Sequence, residues 1–142
     1  MRPSRVRGDV GTVTAFVASF TIALLAIAGL VIDGGFVLAA RRAAFDEAEA
    51  AARAGAQAID VDSLRRGGPV VVLPDEARQR ALDYLARTGH DGTVEVSGDL
   101  VTVHVRFEKP MVLLGLVGVR PATIEATGTA IGVQAVTNEE AP

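Results

Sequence analysis

The chain has 142 residues and no cysteine, which removes disulfides, thiolate metal sites and a cysteine nucleophile together. It is 49% hydrophobic but only 4% aromatic, so its apolar content is mostly Ala, Val, Leu and Ile. A net charge of −3, with no long basic patch, argues against a nucleic-acid partner.

Residues 1–9 carry Arg2, Arg5 and Arg7 and form the tail ahead of an apolar stretch. Val10 to Ile32, "VGTVTAFVASFTIALLAIAGLVI", holds no charge. As a helix rising about 1.5 Å per residue it measures roughly 35 Å, enough to cross a hydrocarbon core about 30 Å thick. It is too long for the apolar region of a cleaved signal peptide, typically about 7–15 residues. A retained transmembrane helix over 10–32 is the expectation. The three arginines and the shortness of the tail favour a cytoplasmic N-terminus and an extracytoplasmic C-terminal part, because acids count little in the positive-inside rule.

Asp33 and then Gly34-Gly35 follow the apolar stretch directly. An aspartate at mid-bilayer costs about 2.5–3.5 kcal/mol on insertion scales, so the expected place for Asp33 is the outer interface, in contact with water. The competing placement slides residues 18–40 into the membrane, with Arg41-Arg42 at its surface. Asp33 is then buried and needs a cationic partner on another subunit.

Residues 33–59 continue as strong helix formers, with Glu49 and Arg53 in the favourable i,i+4 order. If Gly34-Gly35 do not break it, one rod of roughly 70 Å results. Ala40, Ala44, Ala48 and Ala52 recur every four residues as a small-residue seam suited to close approach of another helix. Residues 60–69 read as a linker, and 70–136 as a small domain. "VVVL" at 70–73 is a short strand candidate. "PDEARQRALDYLARTG", 74–89, is a helix with Pro74 in its first turn, Gly89 at its end and a buried stripe of Ala77, Ala81, Leu82 and Leu85. "TVEVSGDLVTVHVRF" alternates as a hairpin turning at Gly98-Asp99, so Ser97 meets Leu100, Val96 meets Val101 and Val94 meets Val103. "PMVLLGLVGVRP", 110–121, is either a short helix packing on the sheet or a membrane-contacting loop. Residues 122–136 are a strand, and 137–142 a disordered tail.

The expected fold is therefore α+β. A single N-terminal transmembrane helix extends into a long Ala-rich helix, and a small domain follows with one helix on a three- or four-stranded antiparallel sheet. Its core is thin enough to need the rod or a neighbouring subunit.

The chain shows no phosphate loop, nucleophile elbow or HExxH pattern. His90 and His104 stand without cysteines, so no metal site is expected. Acids on helix faces and turns read as solvated charges. No catalytic residues and no cofactor are expected, and the chain reads as a non-enzyme.

The stretch from Gly11 to Ile59 resembles the N-terminal region of the TadE/TadG-like proteins of Flp (Tad) pilus systems. Gly11, Gly29, Leu30, Asp33 and Gly35 occupy the family's motif positions, and an Ala-rich helix ending near "AARAGA" follows. The downstream pattern is similar to that of actinobacterial members. The resemblance implies a membrane-anchored, pseudopilin-like or accessory component of pilus assembly in the bacterial cell envelope. Its partners would be the membrane and other pilus-assembly or secretion subunits, with homo- or hetero-oligomers formed through helix packing. Two features depart from the family pattern. Residues 17–28 hold no proline, and Val13 and Phe16 stand where a prepilin peptidase would want Glu after Gly8 or Gly11. A second reading is a bitopic anchor whose extracytoplasmic domain binds an envelope partner unrelated to pili. A third is a secreted protein cut near Ala40.

Overall fold

A computed structural model describes residues 9–132, with side chains from residue 11 onward. Helix α1 runs unbroken over Asp9–Ala56. Gly34 and Gly35 do not interrupt it, because 48 consecutive residues of mostly good helix formers outweigh about 1 kcal/mol per glycine. The rod is thus about 72 Å long at 1.5 Å per residue. Residues 1–8 of the tail read as 1–9, the end of the last strand at 133–136 and the tail 137–142 lie outside the described residues, and Asp9 opens α1.

The linker contains one helical turn, α2 (Val61–Arg65), started by Asp60, whose carboxylate accepts from the Asp62 and Ser63 N–H groups at 3.0 Å each. The short strand expected at 70–73 reduces to a single bridge between Ile59 and Val72. Helix α3 spans Pro74–Thr88 and ends on Gly89 in the left-handed conformation, whose N–H reaches the Leu85 carbonyl. Ala77, Ala81 and Leu85 are buried, but Leu82 is exposed. It stands about 100° round the helix from Ala81, at the edge of the buried arc.

Strands β1 (Gly92–Ser97), β2 (Leu100–Lys109) and β3 (Ala122–Ile131) form one antiparallel sheet in sequence order. Ser97 pairs with Leu100, Val96 with Val101 and Val94 with Val103, as the alternation requires. Gly98 takes a positive φ at the first turn position, the signature of a type II′ hairpin. Val101, Val103 and Val105 are fully buried, while His104 and Arg106 on the opposite face are exposed.

Two helices, not one, cover the inner face. α3 lies against β1, and the distal half of α1 lies across β2 and β3. One core joins Ala48, Ala51, Ala52 and Ala56 of the rod to Ala77, Ala81 and Leu85 of α3 and to the valines of β2. The rod therefore supplies the apolar surface that a three-stranded sheet and one helix lack. The seam is a packing surface, and what packs on this side of α1 belongs to the same chain: strand β3 at Ala48 and helix α3 beside it, where a Cβ at Gly55 would lie 2.9 Å from the Ala77 carbonyl oxygen. Ala44, Ala48 and Ala52 are buried and Ala40 is half-buried, which leaves no access there for a helix of another subunit. The closest approach is at Gly128 of β3, where a Cβ would sit 2.3 Å from the Ala48 backbone carbon. Small residues on both sides let strand and helix backbones touch.

Candidate functional site: a carboxylate clasp on the long helix

The proximal half of α1 is bare. Phe16, Phe20, Leu24, Leu25 and Leu30 are all more than half exposed, and among the described residues no other element covers them. This helix is long and apolar enough to cross a membrane. Its bare half passes into its covered half at Gly29 and Asp33, four residues apart and so on one face.

Lys109 ends β2 and Ala122 starts β3, and between them the chain runs back toward the bare half of α1. The segment contains a short 3₁₀ helix, Leu114–Val117. It docks on α1. Its turn packs where Gly29 has no side chain: a Cβ there would lie 3.2 Å from Leu114 Cδ2 and 3.6 Å from Leu113 Cβ.

Asp33 is the centre of this contact. It is 1% exposed and, among the described residues, accepts only from the backbone of the docked segment. The Val112 N–H donates to Oδ1 at 2.9 Å. The Leu113 N–H is shared between Oδ1 at 3.2 Å and Oδ2 at 3.0 Å, and the Leu114 N–H donates to Oδ2 at 2.7 Å. Leu113 and Leu114 are the cap and first residue of the short helix, whose N–H groups its start leaves without partners, and Val112 precedes them. A carboxylate offers acceptor sites on both oxygens and matches three convergent N–H groups. The expected placement of Asp33 in water is therefore corrected. The residue is buried, and its partners are neither solvent nor a cation on another subunit but amides about 80 positions away in the same chain. The cost of burying the acid is offset by charge-assisted hydrogen bonds.

The remaining motif positions fall outside this contact. Gly11, Leu30 and Gly35 are exposed on α1, and a Cβ at Gly11 or Gly35 would meet nothing within 4 Å.

A second polar contact ties the rod to the domain. Glu47 is nearly buried and accepts from His90 Nδ1 at 2.8 Å and from the Thr88 hydroxyl. The His90 ring stacks on Phe107, centroids 4.1 Å apart. Glu47 and Asp33 are thus two acids that depart from the solvated reading. His104 sits apart on the open sheet face, its Nδ1 2.9 Å from the Thr127 hydroxyl. Among the described residues, no three His, Asp or Glu side chains gather as metal ligands.

The sequence held one overlooked signal for the clasp. Glycine at i−4 from a helix-interior acid clears a berth beside a set of acceptors, which invites a backbone to dock. The Glu47–His90 pair left no such trace, because its partners are 43 residues apart with no shared pattern.

Residues 11–58 match a protein-family model described as putative Flp pilus-assembly TadE/G-like. The match covers about a third of the chain and includes Gly29, Asp33 and the whole alanine seam. No curated protein and no solved structure matches.

Proposed function

We propose that the protein is a membrane-anchored, pseudopilin-like or accessory component of a Flp/Tad pilus-assembly or secretion apparatus, acting through contacts and not through catalysis. The family match over residues 11–58 carries this reading. It is supported by a single long helix whose proximal half is bare and apolar and whose distal half is built into a small domain. In this reading α1 anchors the protein in the cell membrane with Arg2, Arg5 and Arg7 on the cytoplasmic side and the sheet outside. The alanine seam is occupied internally, so partner subunits meet the bare half of α1 or the outer faces of the domain.

The test has two parts. Deleting the gene should abolish or reduce surface pili, and the tagged full-length protein should co-purify with other subunits of the apparatus. Normal piliation and no co-purifying apparatus subunit would favour an envelope anchor unrelated to pili. Protease added to spheroplasts should remove the domain beyond residue 60, and full protection would reverse the orientation.

A further inference from the structure

From Met111 to Val119 the docked segment reads "MVLLGLVGV", nine residues without a polar side chain. Water-facing loops are normally polar, and an apolar one signals something that covers it. Leu116 is 84% exposed and Val117 78%, with Val112 and Val119 exposed beside them. These side chains therefore do not serve the core.

Their place on α1 identifies the cover. The segment is clasped at Asp33 and packs on Gly29, within the last turn of the uncharged stretch ending at Ile32. Its exposed residues thus continue the apolar surface that α1 presents as a membrane span. Above this level stand basic residues at both places where the chain leaves it: Arg41 and Arg42 follow on α1, and Lys109 and Arg120 bracket the segment. Such residues suit the headgroup zone.

Backbone chemistry agrees for six of the nine N–H groups of the segment. Hydrocarbon offers no hydrogen bonds, so a loop enters it only if its own N–H groups are satisfied within the protein. The Val112, Leu113 and Leu114 N–H groups go to Asp33. Those of Leu116, Gly118 and Val119 go to the carbonyls of Leu113, Gly115 and Leu114 at 3.1–3.2 Å.

We infer that the 111–119 segment is a second membrane contact, a loop that enters the leaflet on the domain's side beside α1, with Asp33 as the clasp that lets its backbone leave water. The occupant of this surface is a lipid bilayer. Two-point attachment would fix the rotation of the whole molecule about the axis of α1 relative to the bilayer, which a lone span leaves free.

The chain has no Trp and no Cys, so single reporters are unambiguous. The full-length protein is reconstituted in phosphatidylcholine/phosphatidylglycerol vesicles carrying Leu116→Trp, with Leu24→Trp as the span control and Gln79→Trp, on the exposed side of α3, as the water control. Lipid brominated near the carbonyl end of the acyl chain is then added. Leu116→Trp is expected to emit to the blue of Gln79→Trp and to lose intensity with brominated lipid, whereas Gln79→Trp keeps its intensity. Val117→Cys is expected to resist a water-soluble maleimide that labels Gln79→Cys. Leu116→Trp emission matching Gln79→Trp, beside a quenched Leu24→Trp, overturns the inference while leaving the span intact. Blue emission without quenching also overturns it, since protein and not lipid then covers the loop. Adding Asp33→Leu should abolish the quenching of Leu116→Trp, and persistent quenching would remove Asp33 from the role of clasp.

Discussion

Asp33 shows how much one side chain decides in a chain poor in polar groups. Its two oxygens take up three backbone donors that no other residue reaches. Leaving a buried donor unsatisfied costs about 1–3 kcal/mol, so Asp33→Leu should free the segment from α1. Amide exchange at Val112, Leu113 and Leu114 is then expected to accelerate by at least about tenfold, since 1.4 kcal/mol is a factor of ten. Asp33→Asn keeps one acceptor oxygen and should fall between the two. Unchanged exchange at these three amides in Asp33→Leu would mean that the carboxylate does not hold the loop. Gly29 acts at the same place by absence. A leucine there would occupy the space of Leu114, and the loop should undock even with Asp33 intact.

At the scale of elements, the alanine seam and the hairpin set the packing of sheet on rod. Ala48 lies under Gly128, so Ala48→Leu has no room to relax. It should destabilise the domain by about 1–3 kcal/mol or more, whereas Ala43→Leu on the exposed face should be nearly neutral. Thermal unfolding of the two variants in detergent checks this. Equal melting temperatures would show that the seam is not buried against β3. The hairpin offers an independent test. Val103→Asp buries an unpaired charge under α1 and should unfold the domain. Thr102→Lys, opposite Glu95 on the other face, should be mild. Comparable loss of structure by circular dichroism in both would require a register shifted by one residue.

At the scale of the molecule, anchor and domain share one helix and cannot be separated without cutting a core. Ala48, Ala51, Ala52 and Ala56 are as much part of the domain as Leu85 or Val103. A fragment of residues 60–142 therefore loses one of its two covering helices and should remain unfolded. A fragment of residues 36–142 should fold. Dispersed amide resonances from the shorter fragment would show that the sheet and α3 suffice without the rod. Such a build transmits any tilt of the span directly to the sheet, because no flexible joint lies between them.

Periodicity and spacing determined a large part of this protein. The 23 uncharged residues ending at Ile32, the Pro74-to-Gly89 helix and the register about Gly98-Asp99 were legible because each rests on neighbours in sequence: apolar run length, cap residues, strict alternation. The motif residues Gly29 and Asp33 were legible as unusual, but not their task. What only the tertiary structure decided were contacts between distant parts of the chain. Asp33 meets amides about 80 residues away, Glu47 meets His90, and the seam meets Gly128. A small-residue stripe states that a backbone will come close without stating which one. An acid after an apolar run states that a charge must be satisfied without stating by what. Both questions are settled by where the sheet lies along the rod, a single geometric choice that no local pattern encodes.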